Sequence, residues 1–236
     1  MRSIKIKILI LFCLSCVGLN SYAKKSSHNE NDRELLESSK CVVHFKNTEI
    51  KHQIPRDLLH SISLQESGRK HSKLNKTIPW PWTVNVEGKG FYFDSKKEAV
   101  MFVKQQRAFG KKSIDIGCMQ INLLYHPEAF RSISEAFDPE ANVNYGASFL
   151  REKYEQHGTW KKAIANYHSA NEELGHNYRK SVLRIANNID KNKFNPVRTY
   201  ASSSAITKTT TPASYKTKSY VKFERYRSSM MIPIPK

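Results

Sequence analysis

The sequence is poor in acidic residues, in cysteine and in long apolar runs, and each deficit narrows what the protein can be. Its 236 residues include 39 Lys and Arg but only 21 Asp and Glu, which gives a formal net charge of +18. A mean hydropathy of −0.60 excludes a protein with several membrane spans. The hydrophobic content of 39% still suffices for a packed core, so a chain disordered throughout is also excluded.

The longest apolar run is short and lies at the N-terminus. Basic residues within the first seven positions precede an apolar stretch at 8–19, which is too brief to span a bilayer comfortably. Ser21-Tyr22-Ala23 then places small residues where a signal peptidase cleaves. We therefore predict a signal peptide over residues 1–23 and an exported, periplasmic, envelope-associated protein. A retained anchor and a lipoprotein with lipid on Cys16 are the alternatives.

The sequence has only four cysteines, and removal of the predicted signal peptide would lower that number. Two of the four cysteines, Cys13 and Cys16, lie inside the predicted signal peptide, which leaves Cys41 and Cys118. An oxidising compartment favours one disulfide between them, with two buried thiols as the alternative. The nine histidines show no H-x-x-x-H or HExxH spacing. We therefore expect no metal and no cofactor.

Charge and composition divide the mature chain into three parts. Residues 191–236 hold ten Lys or Arg and one acidic residue among many Ser, Thr and Tyr, so they predict a basic, disordered tail. The polar residues 24–40 predict a flexible lead-in. Residues 41–190 predict one domain, large enough to fold alone as a monomer. The tail suits an anionic wall or membrane surface, whereas nucleic acid is not an expected partner of an exported protein.

Helix signals fill the predicted domain. Apolar residues at helical spacing, bounded by capping residues, predict five helices that begin near Pro55, Ser95, Asp138, Thr159 and Leu174. One alternating pattern, Thr83–Val86 and then 91–93 around a glycine-bearing loop, predicts a β-hairpin. The predicted class is therefore mainly α (α+β), with one small hairpin.

Glu66 is the strongest catalytic candidate on position alone. It lies four residues after Ile62 and seven after Leu59, so it shares the apolar face of its predicted helix. Burial of a carboxyl raises its pKa, and the negative end of the helix dipole acts in the same direction. Both effects favour the protonated form that a general acid needs. The alternative is a surface Glu paired with Arg69 or Lys70.

Two later segments combine polar and apolar residues in a way that suits ligand binding. In Ile114–Asn122, Gly117 permits close backbone approach, and the amides can bind a neutral polar ligand. In Ala163–Ala170, Tyr167 shares a helix face with Ala163. A loop that enters a helix and a core tyrosine are the plainer interpretations.

In this order, the three segments resemble the lytic transglycosylases of the soluble-transglycosylase (SLT) type, which share a lysozyme-like fold. The family's motifs are Glu-Ser, Gly-Leu-Met-Gln-Ile and Ala-x-x-Tyr-Asn-x-Gly, and their counterparts here are Glu66-Ser67, Gly117–Ile121 and Tyr167–Ala170. His168 stands in place of the usual Asn, and Ala170 in place of the usual Gly. The resemblance covers about 41–187 and is to an exported branch of the family.

The resemblance implies cleavage of the β-1,4 bond between N-acetylmuramic acid and N-acetylglucosamine in peptidoglycan. Glu66 would protonate the glycosidic oxygen and then, as a carboxylate, accept a proton from the sugar's own 6-hydroxyl, which yields a 1,6-anhydro sugar. The implied sugar-binding residues are Ser67, Met119, Gln120, Asn122, Tyr167 and His168. Cys118 stands where the family has Leu, which favours its pairing with Cys41.

Two other functions remain open at this point. A muramidase-type hydrolase on the same fold would use a second carboxylate, for which Asp115 is the nearest candidate, although we expect Asp115 to be structural. A wall-binding or assembly scaffold would keep the fold without turnover. The intact Glu66 with its motif partners favours the enzyme.

Overall fold

Helices dominate the computed structural model, which describes the backbone of residues 14–192 and the side-chain surroundings of residues 33–189. Residues 1–13 of the predicted signal peptide and residues 193–236 of the predicted tail lie outside the described residues. Within the described range, no helix combines the length and apolar character that a membrane span requires.

The described residues form seven helices, and the predicted mainly α class is confirmed. They are α1 (Leu14–Lys51), α2 (Leu58–Glu66), α3 (Lys96–Ala108), α4 (Ile133–Ala136), α5 (Pro139–His157), α6 (Trp160–His168) and α7 (Glu172–Asn192). The strands are β1 (Gly68–Lys70), β2 (Thr77–Pro79), β3 (Thr83–Val86), β4 (Lys89–Tyr92), β5 (Ile114–Ile116) and β6 (Ile121–Asn122).

Local capping fixes the starts of α3, α5 and α6 where the sequence predicts them. The Ser95 hydroxyl accepts a hydrogen bond from the Glu98 amide at 3.3 Å, as a capping box requires. The Asp138 carboxylate accepts from the Ala141 amide at 3.0 Å at the start of α5. Gly158, with φ of 69°, ends α5 in the left-handed conformation that glycine adopts without strain.

Helix α2 departs from the prediction, because its cap comes from a side chain of the preceding helix. It begins at Leu58 rather than at Pro55. The carboxyl group of Glu49, on α1, accepts hydrogen bonds from the amides of Asp57 and Leu59, both at 2.9 Å. These amides are among the donors that a helix start leaves unpaired, so Glu49 replaces a local cap.

The predicted flexible lead-in at 24–40 is wrong, because these residues belong to α1. Glu34 and Ser38 are buried in spite of their polarity. Glu34 accepts hydrogen bonds from the amide and the hydroxyl of Ser72, at 3.1 and 2.9 Å, and pairs with Arg69 at 3.1 Å. The polarity of Glu34 therefore reflects its partners on β1 and on the β1–β2 loop rather than exposure to solvent.

The predicted hairpin is confirmed as β3 and β4, which pair antiparallel from Thr83↔Tyr92 to Val86↔Lys89. The structure adds β5 and β6 to give the order β4-β3-β5-β6, and it adds a separate sheet of β1 and β2. These additional strands have only two or three residues each. Such lengths are too short for an alternating pattern to reveal them.

Two cores lie on either side of the segment that carries Cys118. One packs α1, α2, α5, α6 and α7 together, and the other packs the four-stranded sheet against α3 and the buried Trp80. The predicted disulfide between Cys41 and Cys118 is present. It joins α1 to the turn between β5 and β6, across a sequence separation of 77 residues.

Candidate active site

Glu66 is the last residue of α2 and lies where the two cores meet. Leu59 and Ile62, on the same helix face, have no exposed surface, whereas Glu66 is half-buried. The carboxyl group therefore sits at the edge of the core, as its spacing predicts.

Burial raises the pKa of the Glu66 carboxyl to about 7. The nearby Tyr178 hydroxyl opposes this shift, and the negative charge of Asp115 adds to it. At neutral pH the group is consequently divided between its acid and carboxylate forms, which suits a residue that must both give and accept a proton.

Two tyrosines from different helices face Glu66. Tyr178, on α7, is buried, and its hydroxyl makes no hydrogen bond of standard geometry with any described residue. Burial and the neighbouring Glu66 charge raise its pKa well above the ordinary tyrosine value. The Tyr167 hydroxyl, on α6, donates to the Met119 carbonyl at 2.9 Å, and burial likewise raises its pKa. Both phenols therefore stay neutral beside the carboxyl group.

Asp115 is the second carboxylate of the site. It lies on β5, half-buried, and burial raises its pKa. Asn122 on the paired strand β6 donates from Nδ2 to the Asp115 carboxylate at 2.6 Å and to the Ser113 hydroxyl at 3.0 Å. Asn122 Oδ1 accepts from the amides of Leu124 and Tyr125. The amide group of Asn122 thus makes four hydrogen bonds inside the protein, one of which holds Asp115.

The turn between β5 and β6 is held by Asn142, on α5. Its Oδ1 accepts from the Met119 amide at 2.8 Å, and its Nδ2 donates to the carbonyls of Ile116 and Ala136, both at 3.0 Å. Gly117, with φ of 82°, packs against this amide so closely that a Cβ would overlap it. Glycine is required at this position by both the conformation and the space.

Gln120 follows in the same turn with φ of 47°, an uncommon value for a residue other than glycine. Its Nε2 donates to the carbonyls of Thr83 and Gly117, at 3.1 and 3.0 Å. Its Oε1 has no hydrogen-bond partner among the described residues, and the side chain is only half-buried. Gln120 therefore presents an oriented acceptor beside the Glu66 site.

Ser67 and Met119 are two of the sugar-binding residues that the resemblance implies. Both have no exposed surface. The Ser67 hydroxyl donates to the Cys118 carbonyl at 2.8 Å, and Ser63, one turn earlier on α2, donates to the same oxygen at 2.8 Å. The side chain of Ser67 thus joins the end of α2 to the β5–β6 turn, because its only polar group is used there.

His168 lies at the exposed end of α6. Its ring stacks on Tyr178, with 4.6 Å between centroids and 4° between planes. Burial of the ring lowers the pKa of His168, which favours neutral imidazole. The residue that replaces the family's Asn therefore covers the tyrosine that faces Glu66.

Sequence reasoning missed three residues of this site. Tyr178 fits the apolar stripe of α7, so its pattern predicts a core residue. Tyr145, whose hydroxyl hydrogen-bonds His126 at 3.0 Å, lies near Tyr167 and contributes to its raised pKa. Asn142 had one available signal, because an amide on the buried face of a helix requires a polar partner.

The described residues offer no obvious place for a metal ion. Among them, no three His, Cys, Asp or Glu side chains converge as a ligand set would.

Comparison with known families gives an independent assignment. Residues 44–189 match the model of the transglycosylase SLT domain. Searches of curated proteins and of solved structures returned no match. Domains of this family are transglycosylase-type glycan lyases with peptidoglycan as substrate, typically in exported proteins. Because the match spans more than half of the chain, and includes Glu66 and the turn held by Asn142, the chain belongs to the transglycosylase SLT domain family, with its lysozyme-like, mainly α fold.

Proposed function

We propose that the protein is an exported peptidoglycan lytic transglycosylase that cleaves the β-1,4 bond after N-acetylmuramic acid and leaves a 1,6-anhydro end. The observation that carries this proposal is the state of Glu66. Its carboxyl group is half-buried, has a pKa of about 7, and lies near Asp115, the half-buried Tyr167 and the buried Tyr178. A single residue poised near neutrality can serve as acid and then as base.

In the first step, protonated Glu66 donates its proton to the glycosidic oxygen as the bond to the leaving sugar breaks. Burial raises the pKa of this carboxyl to about 7, so about half of the resting enzyme carries the proton at neutral pH. Positive charge then develops at the anomeric carbon. The negative charges of the Glu66 and Asp115 carboxylates stabilise this positive charge.

In the second step, the Glu66 carboxylate accepts the proton of the muramic 6-hydroxyl, whose oxygen attacks the anomeric carbon. The bond closes the anhydro ring, so no water is consumed. An internal hydroxyl gains rate from its high effective molarity, about 10⁵ M or more in well-oriented systems. The Tyr178 hydroxyl, which lowers the pKa of Glu66, favours the carboxylate that this step needs.

Gln120 and His168 are the side chains we assign to substrate contact. Gln120 Oε1 is a fixed acceptor suited to an N-acetyl N–H, because its amide nitrogen is held by two carbonyls. His168 is exposed and presents one edge of its ring to solvent while its face lies on Tyr178. Two further side chains support the site from within the protein: Tyr167 holds the β5–β6 turn, and Asn122 holds Asp115.

The decisive experiment is mass analysis of the products released from purified peptidoglycan sacculi. We expect muropeptides that carry 1,6-anhydro-N-acetylmuramic acid, which is lighter than the reducing product by one water. Reducing ends would show a hydrolase. Absence of products from folded protein would show a wall-binding scaffold.

A muramidase-type hydrolase is the second candidate, and one observation favours it. Asp115 lies close enough to Glu66 for its charge to raise the pKa of Glu66, so two carboxylates share the site. A two-carboxylate glycosidase requires such a pair. The lyase remains our choice because Asn122 holds Asp115 by a short hydrogen bond, which suits a fixed charge better than a nucleophile.

We also propose export through the signal sequence at 1–23. Cleavage after Ala23 would leave intact the part of α1 whose side-chain surroundings the structure describes, which begins at Arg33 and includes the buried Glu34. N-terminal sequencing of protein recovered from the periplasm should give Lys24 as the first residue. A mature chain that begins at Cys16 would indicate the lipoprotein form, and an uncleaved chain a retained anchor.

A further inference from the structure

The segment formed by α3 and the turn after it concentrates the positive charge of the domain. Between residues 95 and 112 the sequence has six Lys or Arg and one acidic residue. The rest of the stretch from 33 to 190 has 18 basic and 17 acidic residues. Nearly all of the net charge of the folded domain therefore lies on one helix and its turn.

Three lysines of this segment are free to bind an anionic partner. Lys97, Lys104 and Lys112 are exposed, and none forms an ion pair with another described residue. Lys97 and Lys104 point away from the protein, because they lie opposite Ala99 and Val103, which are buried against the sheet.

The nearby carboxylates neutralise one lysine of the segment but not Lys97, Lys104 or Lys112. Glu87 pairs with Lys111 at 2.6 Å, and Asp94 pairs with Arg33, outside the segment, at 3.1 Å. The carboxylate of Glu98, the one acidic residue on α3, accepts from the Asp94 amide as part of the helix cap.

Two large apolar side chains stand among the lysines. Met101 is 61% exposed and shares the face of Lys97 and Lys104, at spacings of four and three residues. Phe109 is 68% exposed at the end of the helix. Exposed apolar groups framed by basic residues on one helix are the composition that binds a membrane interface.

We propose that α3 and the turn through Lys112 dock on an anionic lipid bilayer, with the lysines at the level of the lipid phosphates and with Met101 and Phe109 among the headgroups. An acidic polymer would satisfy the lysines but would leave both apolar side chains in water. None of the residues proposed to contact lipid belongs to the Glu66 site.

The contribution of the lysine charges to membrane binding is tested with two triple variants of the full chain. Lys97→Gln/Lys104→Gln/Lys112→Gln alters the proposed surface, and Lys46→Gln/Lys162→Gln/Lys180→Gln removes three exposed lysines elsewhere. Both keep the basic tail and have equal net charge. Sedimentation with vesicles of phosphatidylcholine and phosphatidylglycerol measures binding. We expect the first triple to lose about 100-fold in partitioning, at about fivefold per lysine, and the control to lose less than about tenfold.

The apolar contribution is tested with a pair of double variants. Met101→Gln/Phe109→Gln should lower binding about tenfold and make the remainder more sensitive to salt. Val43→Gln/Ile50→Gln, at side chains of α1 that are 54% and 65% exposed, should leave binding unchanged. Melting temperatures of all variants check the fold.

Three results would overturn the proposal. Equal losses from the two lysine triples would show that binding follows total charge or the tail. Unchanged binding of Met101→Gln/Phe109→Gln would indicate a partner without an apolar phase, such as an acidic polymer. Equal binding to vesicles of phosphatidylcholine alone would exclude recognition of anionic lipid. None of these measurements uses peptidoglycan, so they stand or fall independently of the proposed activity.

Discussion

Glu66 illustrates how one side chain acquires chemistry from its surroundings. Its spacing after Leu59 and Ile62 predicts a carboxyl group on an apolar face, and the structure confirms this position. The pKa of about 7 depends also on Tyr178 and Asp115, which come from distant parts of the sequence. Helical periodicity can identify the acid, but it cannot identify groups that reach it through the tertiary fold.

Replacing Glu66 by Gln should abolish turnover while the protein stays folded. Gln keeps the shape of the side chain but can neither donate nor recover a proton. Loss of general acid–base catalysis typically costs about 10²–10⁴-fold, and the double role places this variant at the upper end. Release of anhydro-muropeptides from sacculi measures the effect, with thermal melting as the control. Near-normal release by a folded variant would contradict the mechanism.

The same variant should be more stable than the native protein at high pH. The folded-state pKa of Glu66, about 7, lies above the ordinary value of 4.5, so the folded protein binds the proton more tightly than the unfolded chain does. This contribution is complete below pH of about 4.5 and is lost as the pH rises through 7. Glu66→Gln lacks the effect, so its stability relative to the native protein should rise by about 2–3 kcal/mol between pH 4 and 8. Urea denaturation at both values tests this, and a constant difference would refute the raised pKa.

Replacing Asp115 by Asn separates the two enzyme classes. Because the charge of Asp115 raises the pKa of Glu66, its removal should shift the alkaline limb of the kcat/KM profile to lower pH. For the lyase we expect a loss in kcat below about tenfold. A folded but inactive variant would instead support a hydrolase that needs both carboxylates.

At the scale of the elements, a helix start can be predicted from the sequence when the residue that caps it lies within a few positions of the capped amide. The starts of α3, α5 and α6 are readable from the sequence, because Ser95, Asp138 and Thr159 cap amides three residues away. The start of α2 and the order in residues 33–40 depend on partners such as Glu49 and Glu34 that act across elements. Because the partners of these polar residues lie on other elements, composition alone makes residues 33–40 look like a flexible segment.

The cap on α2 gives an element-scale prediction. Burial raises the pKa of Glu49 to about 8, although its hydrogen bonds from the amides of Asp57 and Leu59 act in the opposite direction. Glu49→Ala should cost about 2–4 kcal/mol of unfolding free energy, since it leaves two amides at a helix start unpaired. Glu49→Gln retains one acceptor oxygen and should lose about half as much. Urea denaturation measures both, and equal stability of Glu49→Ala and the native protein would show that water replaces the cap at no cost.

At the scale of the whole molecule, the disulfide between Cys41 and Cys118 joins α1 to the turn beside the site. Cross-linking residues 77 apart should stabilise the fold by about 4 kcal/mol in the chain-entropy model. Reduction, or the double variant Cys41→Ser/Cys118→Ser, should lower the free energy of unfolding by that order. Melting with and without reductant tests this for the native chain. The double variant is the control, because its melting should not respond to reductant.

The position of Tyr178 has a consequence for biogenesis. The acid Glu66 is translated early, whereas the phenol that faces it lies on α7, the last of the described helices, and almost the whole domain separates them in the order of synthesis. A nascent chain, or a fragment that lacks α7, therefore carries the reactive carboxyl group without the environment that tunes it. If the proposed activity is correct, a fragment that ends before α7 should therefore fail to cleave sacculi.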